Sequence, residues 1–450
     1  MIIEGDDIFM RDRGFLKEVF KIAVPVALQS MLQSSFSMID QIMVGQLGEK
    51  SIAAVEVAGK PGFIYSCVLG AITAIAGIMI SQYIGKKDRV AEEKSVCINL
   101  AVTVAIGAAF LLLTFFFTGP IIELFSHDAD VIVQGTDYLR LIGWAFIPMG
   151  ISNVLAVAIR CRGRSALPLL VGVVSAAVNT GLNYILIFGS FGAPSLGVRG
   201  AAYASVISQI VSAVLMAVFF IGIYGRISIS FELGHDGFIQ YIGMLLPVVI
   251  NEFMWSLGQS VNTFVYGHMG TDELAGMSLT GSVQGLTIGA LSGLAQAAGI
   301  LIGRRLGERK YDMAYDESKK LCLYGFIGSV FFSIIMIALR QPYVGIFKVS
   351  PDVRIIGADI MLAFAILLPV KVENMILGGG IIRSGGRTKY IMMIDMIGTW
   401  LIGVPLVLLT GLLWRLPIVW VYFIMSQEEL VRFIITVFIF RGRRWMHTIE

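Results

Sequence analysis

Residues 23–48 read AVPVALQSMLQSSFSMIDQIMVGQLG, and residues 245–270 read LLPVVINEFMWSLGQSVNTFVYGHMG. At an offset of 222 residues Pro25 aligns with Pro247, and two glycines near the end of each segment keep the same offset without a gap. Two copies of one unit therefore make up nearly the whole chain. Such a repeat fixes the architecture before any single element is assigned.

The composition indicates that both copies lie in a membrane. The chain has 450 residues, of which 56% are hydrophobic and 14% are charged. A soluble domain is about one quarter charged, so this chain has too little charge to cover a surface in water. Many apolar runs reach the roughly 20 residues that cross a bilayer as a helix. The short alternating segments of a membrane β-barrel are absent from the sequence.

Polar breaks divide the chain into twelve predicted spans. Six spans in each copy bring both copies into the membrane from the same side, so the repeats are parallel, as in secondary transporters. We predict an all-α membrane protein with two six-helix lobes, residues 1–225 and 226–450, around a central cavity. The predicted spans are 18–44, 56–82, 95–118, 137–158, 167–189, 200–224, 238–265, 274–303, 320–339, 357–382, 390–412 and 417–438.

The first span carries a polar stripe on one face. Four polar residues recur at intervals of four, four and three positions: Gln29, Gln33, Ser37 and Asp40. They fall within about 80° of arc on a helix, so Asp40 faces the bundle. A carboxylate at the centre of a span costs roughly 2.5–3.5 kcal/mol and is a functional candidate. We predict that Asp40 exchanges a proton; interfacial water near the end of the span is the alternative.

Other polar side chains within the spans extend this face. We predict that they line the cavity together with the stripe, although hydrogen bonds between helices are the alternative role: Asn153, Asn179, Asn183, Ser205 and Ser208. Pro25 leaves one backbone carbonyl without its helical partner. We predict that the first helix bends at Pro25 during transport, with a static kink as the alternative.

The second copy has a charged set of its own: Glu252, Lys371, Glu373 and Asp395. Lys371 and Glu373 are two positions apart and diverge on a helix. We expect Lys371 to pair with Asp395 or Glu252, either as a neutralised structural pair or as a second coupling site. Asn262 stands at the repeat position of Asp40. The primary coupling site is therefore predicted in the first copy.

Several segments together resemble the multidrug and toxic compound extrusion (MATE) transporters over essentially the full length. They are Pro25 with MIDQIMVGQLG, SQYIGKKD, RCRGRSALP, VNTGLNYILIFG and LGVRGAAYAS. The segment IIRSGGRTKY, with Lys371 and Glu373 before it and Asp395 and Trp400 after it, resembles the DinF-type branch. One departure is Asn183, where the family often has an acid, which disfavours a sodium site with several carboxylates.

The resemblance implies alternating access and export of amphipathic, cationic organic compounds in exchange for protons. Sodium coupling and a lipid-linked oligosaccharide flippase are the alternatives; a flippase would need a basic cavity. No catalytic constellation or Walker A loop occurs in the sequence, so we predict a transporter and not an enzyme. We further expect no cofactor, metal or nucleic-acid partner. The chain would be a monomer in the bacterial cytoplasmic membrane, export small-molecule drugs and contribute to antibiotic resistance.

The distribution of Lys and Arg predicts the orientation. Alternate connecting segments carry 25 of these residues on the side of the termini and 8 on the other. Positive charge is retained in the cytoplasm, so both termini should be cytoplasmic. In a variant without the native cysteines, Glu308→Cys should resist a membrane-impermeant thiol reagent in intact cells, whereas Ser126→Cys should react. Labelling of Glu308→Cys from outside would reverse the topology.

Overall fold

The computed structural model describes residues 2–225, 234–347 and 349–449, and this part of the chain is almost wholly helical. The helices of the first half are α1 (Ile2–Gly45), α2 (Glu49–Lys86), α3 (Arg89–Phe116), α4 (Thr118–Glu123), α5 (Ala129–Ile142), α6 (Phe146–Cys161), α7 (Ala166–Phe188) and α8 (Val198–Tyr224). Those of the second half are α9 (His235–Met269), α10 (Thr271–Gly307), α11 (Tyr311–Gly345), α12 (Pro351–Asn374), α13 (Thr388–Met396), α14 (Val404–Leu408), α15 (Ile418–Met425) and α16 (Glu428–Arg441).

Eleven helical segments within these described ranges are long and apolar enough to cross a membrane. They correspond to the first eleven predicted spans. The fourth joins α5 to α6 through a short 3-10 turn. The all-α membrane fold predicted from the sequence is thus confirmed.

The twelfth predicted span, 417–438, differs from the prediction. It forms α15 and α16, which are 8 and 14 residues long and are separated by a turn at Ser426 and Gln427. Helix α16 opens with Glu428 and Glu429, where carboxylates favour the positive end of a helix. The break therefore coincides with charges that a continuous apolar span would not hold.

Packing divides the chain into two compact units that differ from the predicted lobes. Residues up to Ala27 pack with those from Phe238 onward, and this set is called the C-unit. The N-unit comprises Leu28–Gly237. Helix α1 is continuous through Pro25 and contributes to both units. Within the C-unit, a Cβ at Gly293 would overlap the carbonyl oxygen of Ala23, so α1 and α10 approach closely.

Three π-helical segments interrupt the helices of the C-unit: Met375–Ile382, Ile397–Gly403 and Leu409–Leu413. The first continues α12 through three consecutive glycines. A Cβ at Gly380 would lie 2.5 Å from the carbonyl oxygen of Ala295, so this glycine lets α10 approach. Widened turns of this kind often occur at functional sites, because they re-aim the side chains that follow.

In the N-unit, α7 and α8 form a tight hairpin. The backbone N–H of Leu196 donates to the carbonyl oxygen of Leu186 over 2.8 Å. A Cβ at Gly200 would lie 2.5 Å from that oxygen and 2.9 Å from the nitrogen of Ile187. Only glycine fits without a shift of the backbone. The hairpin carries the asparagines of α7 and the serines of α8 that were predicted as site residues.

We expect Gly200→Ala to destabilise the protein by about 1–3 kcal/mol, because overpacking against rigid backbone forces the two helices apart. A lower melting temperature of the purified protein in detergent would measure this. Gly222→Ala, in the same helix with no atom within 4 Å of the added Cβ, is the matched control and should melt at or above the wild-type temperature. Equal melting of both variants would contradict the close approach.

Candidate functional site

A cavity of about 240 Å³ lies within the N-unit, between α1, α6, α7 and α8. Its polar lining consists of Gln29, Gln33, Ser37, Asp40, Ser152, Asn153, Ser175, Asn179, Ser205, Ser208, Gln209 and Ser212. Its apolar lining includes Leu32, Phe36, Met149 and Met216. The four-residue stripe of α1 thus faces one cavity.

Asp40 is held by two asparagines of α7, which are one helical turn apart. Asn183 Nδ2 donates to Asp40 Oδ1. The Asn179 amide, oriented with its nitrogen toward Asp40, places that nitrogen 2.8 Å from Oδ1 and 3.2 Å from Oδ2. Amide donors satisfy a carboxylate without neutralising its charge.

Further hydrogen bonds fix the walls of this N-unit cavity. Arg160 Nη2 donates to Gln29 Oε1 over 2.8 Å, which orients the amide at one end of the stripe. The hydroxyls of Ser152 and Ser212 lie 2.7 Å apart and join α6 to α8. The site is therefore assembled by bonds between neighbouring helices and not by one helix alone.

Asp40 is the only charged side chain on the wall of this cavity among the described residues. Within the same described ranges it makes no ion pair. A lone carboxylate facing amides, hydroxyls and apolar side chains gives the cavity a negative charge. Such a wall favours a cation and disfavours an anion.

The structure brings eight of the nine predicted cavity residues to one cavity. The exception is Asn183, which is 1% exposed and lies behind Asp40 as its hydrogen-bond donor. Sequence reasoning did not identify Ser152, although it directly precedes the predicted Asn153. Their roles in substrate binding remain predictions.

A second cavity, of about 450 Å³, lies within the C-unit. Its wall contains three basic and four acidic side chains: Lys371, Arg383 and Arg432 with Glu252, Asp395, Glu428 and Glu429. The apolar part includes Trp255, Ile288 and Met375. The C-unit cavity is thus larger than the N-unit cavity and far more charged.

The predicted partner of Lys371 was wrong. Lys371 Nζ lies 3.0 Å from Glu429 Oε1 of α16, and not beside Asp395 or Glu252. Asp395 instead accepts a hydrogen bond from Asn251 over 2.7 Å and faces Arg432 at 3.7 Å. The charges at the start of α16 therefore take the place that was assigned to residues of α9 and α13.

Arg432 links two acids, Glu428 and Asp395, and was missed as a site residue. Its Nη2 lies 3.2 Å from Glu428 Oε1. The sequence contained an indication of this site, because the predicted twelfth span includes three charged residues. Glu373, by contrast, does not line the C-unit cavity; it is 6% exposed and faces Gly325 of α11. The predicted four-residue cluster thus divides between two places.

No group of three or more His, Cys, Asp or Glu within the described ranges is placed to hold a metal ion. None of the four cysteines, which all lie in the described ranges, forms a disulfide. What the two cavities offer is charge, hydrogen bonding and apolar contact.

The MatE family model matches residues 25–185 and 247–409 of this chain. The two matches begin 222 residues apart, which is the offset of the internal repeat. The uncharacterized transporter YisQ of Bacillus subtilis is 24% identical, over 95% of this chain and 94% of YisQ. The probable multidrug resistance protein NorM of Thermotoga maritima is 23% identical, over 95% and 93%.

Solved structures agree with this assignment at the level of the fold. A crystal structure of a variant of the MATE transporter VcmN from Vibrio cholerae has a TM-score of 0.88 at 16% identity, and covers 96% of this chain and 99% of that chain. One family model matches both halves of the chain over most of their length. This protein therefore belongs to the MatE family of multi-pass membrane transporters and is not an enzyme.

Proposed function

We propose that this protein exports amphipathic organic cations across the bacterial cytoplasmic membrane in exchange for protons. The observation that carries the proposal is the single carboxylate, Asp40, on the wall of the N-unit cavity. Relatives described as multidrug resistance proteins, such as NorM and MdtK, support the substrate class and a contribution to antibiotic resistance.

The lining suits a ligand that is cationic at one end and apolar elsewhere. Asp40 supplies the charge, while Phe36, Met149 and Met216 supply apolar surface. Methionine side chains adapt to differently shaped ligands because they are flexible and polarisable. One cavity can thereby accept several compounds that share charge and amphipathic character.

Exchange follows from competition for one carboxylate. With Asp40 ionised, the cavity holds a cationic drug; a proton entering from outside removes the charge and with it the drug's attraction. Each pH unit of gradient supplies about 1.4 kcal/mol per proton. A potential of 100 mV adds about 2.3 kcal/mol per charge. Bending of α1 at Pro25 would couple this event to the change of access.

The amide of Asn183 beside Asp40 supports protons over sodium ions as the coupling ion. Asn183 turns its amide nitrogen toward the carboxylate. A hard cation prefers oxygen ligands, and amide nitrogens are donors that repel it. Sodium binding would require the Asn183 amide to turn round, whereas proton exchange at Asp40 does not.

A lipid-linked oligosaccharide flippase is the weaker candidate. A pyrophosphate needs a basic cavity, yet no basic residue among those described lines the N-unit cavity. The three basic residues of the C-unit cavity face four acids. Neither cavity has the positive excess that a pyrophosphate requires.

We expect Asp40→Asn to abolish drug efflux driven by an imposed pH gradient in proteoliposomes, because the amide cannot exchange a proton or attract the cation. Glu56→Gln is the matched control. Glu56 lies in the neighbouring span and its Oε1 is 2.7 Å from Lys60 Nζ, outside the cavity, so efflux should stay near the wild-type rate.

Proton and sodium gradients imposed separately on the proteoliposomes identify the coupling ion. Wild-type efflux should respond to a pH gradient and not to a sodium gradient at constant pH. Efflux by Asp40→Asn with proton uptake at the wild-type ratio would place coupling elsewhere. Efflux that follows the sodium gradient alone would replace the proton by sodium and leave the transporter assignment intact.

A further inference from the structure

The C-unit cavity has charged side chains in two classes, those paired with each other and those left over. Lys371 is paired with Glu429, and Arg432 with Glu428 and Asp395. These five groups form ion pairs with one another across α12, α13 and α16, although the Arg432 Nε atom is itself buried without an acceptor. They account for two of the three cations and three of the four acids on the wall.

The remaining two groups are Glu252 of α9 and Arg383, which directly follows the π-helical end of α12. In the described part of the chain, neither side chain makes an ion pair or a hydrogen bond, and the Arg383 Nε atom is buried without an acceptor. Both line the same cavity, and each lies within electrostatic reach of the other. The wall therefore presents one separated positive and one separated negative charge.

Both side chains are partly buried, and a charge that loses part of its hydration without gaining a partner costs free energy. In this structure Glu252 and Arg383 do not form an ion pair with each other, and the wall that they share also includes Trp255 and Met375. A molecule that carries both charges would satisfy both side chains at once. The volume of about 450 Å³ is that of a small-molecule site, which spans roughly 300–1,000 Å³.

We propose that the C-unit cavity binds a zwitterionic organic molecule, with its carboxylate on the guanidinium of Arg383 and its ammonium on the carboxylate of Glu252. A planar guanidinium binds a carboxylate through two parallel hydrogen bonds. The ring of Trp255 and the side chain of Met375 receive the apolar part. This site is separate from the Asp40 cavity and does not depend on proton coupling there.

The arrangement predicts selection by charge type. A simple cation would satisfy Glu252 and leave Arg383 unpaired, while a simple anion would do the reverse. A site that leaves one of its own buried polar groups without a partner discriminates strongly against the wrong ligand. Zwitterions should therefore bind more tightly than either half-charged analogue of the same shape.

Three indole compounds test this with one apolar ring: tryptophan as the zwitterion, tryptamine as the cation and indole-3-propionate as the anion. Titration calorimetry at pH 7 on the full-length purified wild type, and on Asp40→Asn, whose N-unit cavity no longer attracts tryptamine, should give saturable binding of tryptophan to both. Its affinity should be at least tenfold higher than that of tryptamine or indole-3-propionate. Equal affinities for all three, or no saturable binding of tryptophan, would overturn the proposal.

Two variants assign the charges. Glu252→Gln should abolish the preference for tryptophan over indole-3-propionate, and Arg383→Gln should abolish the preference for tryptophan over tryptamine. Arg383→Lys should restore part of that preference. If Glu252→Gln and Arg383→Gln both retain the wild-type preferences, the charges are not the ligands and the proposal fails.

The matched control is Glu373→Gln, which neutralises a buried acid of the same unit outside the cavity. It should bind tryptophan as the wild type does, and a similar melting temperature for all four variants would show that they are folded. Because binding is measured without a gradient, failure of proton-driven efflux leaves this test unaffected. Asp40→Asn should bind tryptophan normally, so the two proposals can fail separately.

Discussion

The hydrogen bonds from Asn183 and Asn179 to Asp40 are the contacts on which the N-unit site depends. A carboxylate inside a membrane bundle needs donors, and both come from one face of α7. Helix α7 is in turn fixed to α8 by the close approach at Gly200. The position of Asp40's donors therefore depends on the geometry of the α7–α8 hairpin, which also carries the serines of α8 that line the cavity.

The C-unit shows what the same repeat does without that carboxylate. At the repeat position of Asp40 stands Asn262, which is 8% exposed and has its amide nitrogen 4.0 Å from the sulfur of Met425. The charged residues of the C-unit cavity lie on other helices, where Arg432 forms ion pairs with Glu428 and Asp395. The wall of the N-unit cavity therefore has one lone charge, whereas the wall of the C-unit cavity has a largely paired network of charges.

The sequence was sufficient for features that depend on periodicity or composition. The spacing of Gln29, Gln33, Ser37 and Asp40 predicted a shared face, and the structure brings all four to one cavity. It was insufficient where the answer depends on which helices are neighbours. The sequence offered several acids as ion-pair partners for Lys371. The partner is Glu429 because helix α16 packs beside Lys371, and the sequence pattern did not show this packing.

The break between α15 and α16 has a similar explanation. Hydropathy averaged over 417–438 is high enough to indicate one span, whereas the three charges within it indicate an interruption. The mean hydropathy of the segment does not show that its charged residues are close together at one point. Asn183 shows a second limit of prediction from periodicity. It lies on the predicted polar face of α7, but it donates a hydrogen bond to Asp40 and does not line the cavity.

Helix α1 also bears on how the chain assembles during synthesis. Its first part packs with residues from Phe238 onward, although the intervening residues, Leu28–Gly237, form the other unit. At about 5–20 residues per second, the ribosome needs roughly 10–40 s to make that stretch. During this interval the backbone of Ala23 lacks the glycine of α10 against which it finally packs. The oldest part of the nascent chain is thus among the last to reach its place, and lipid or the insertion machinery must cover it until then.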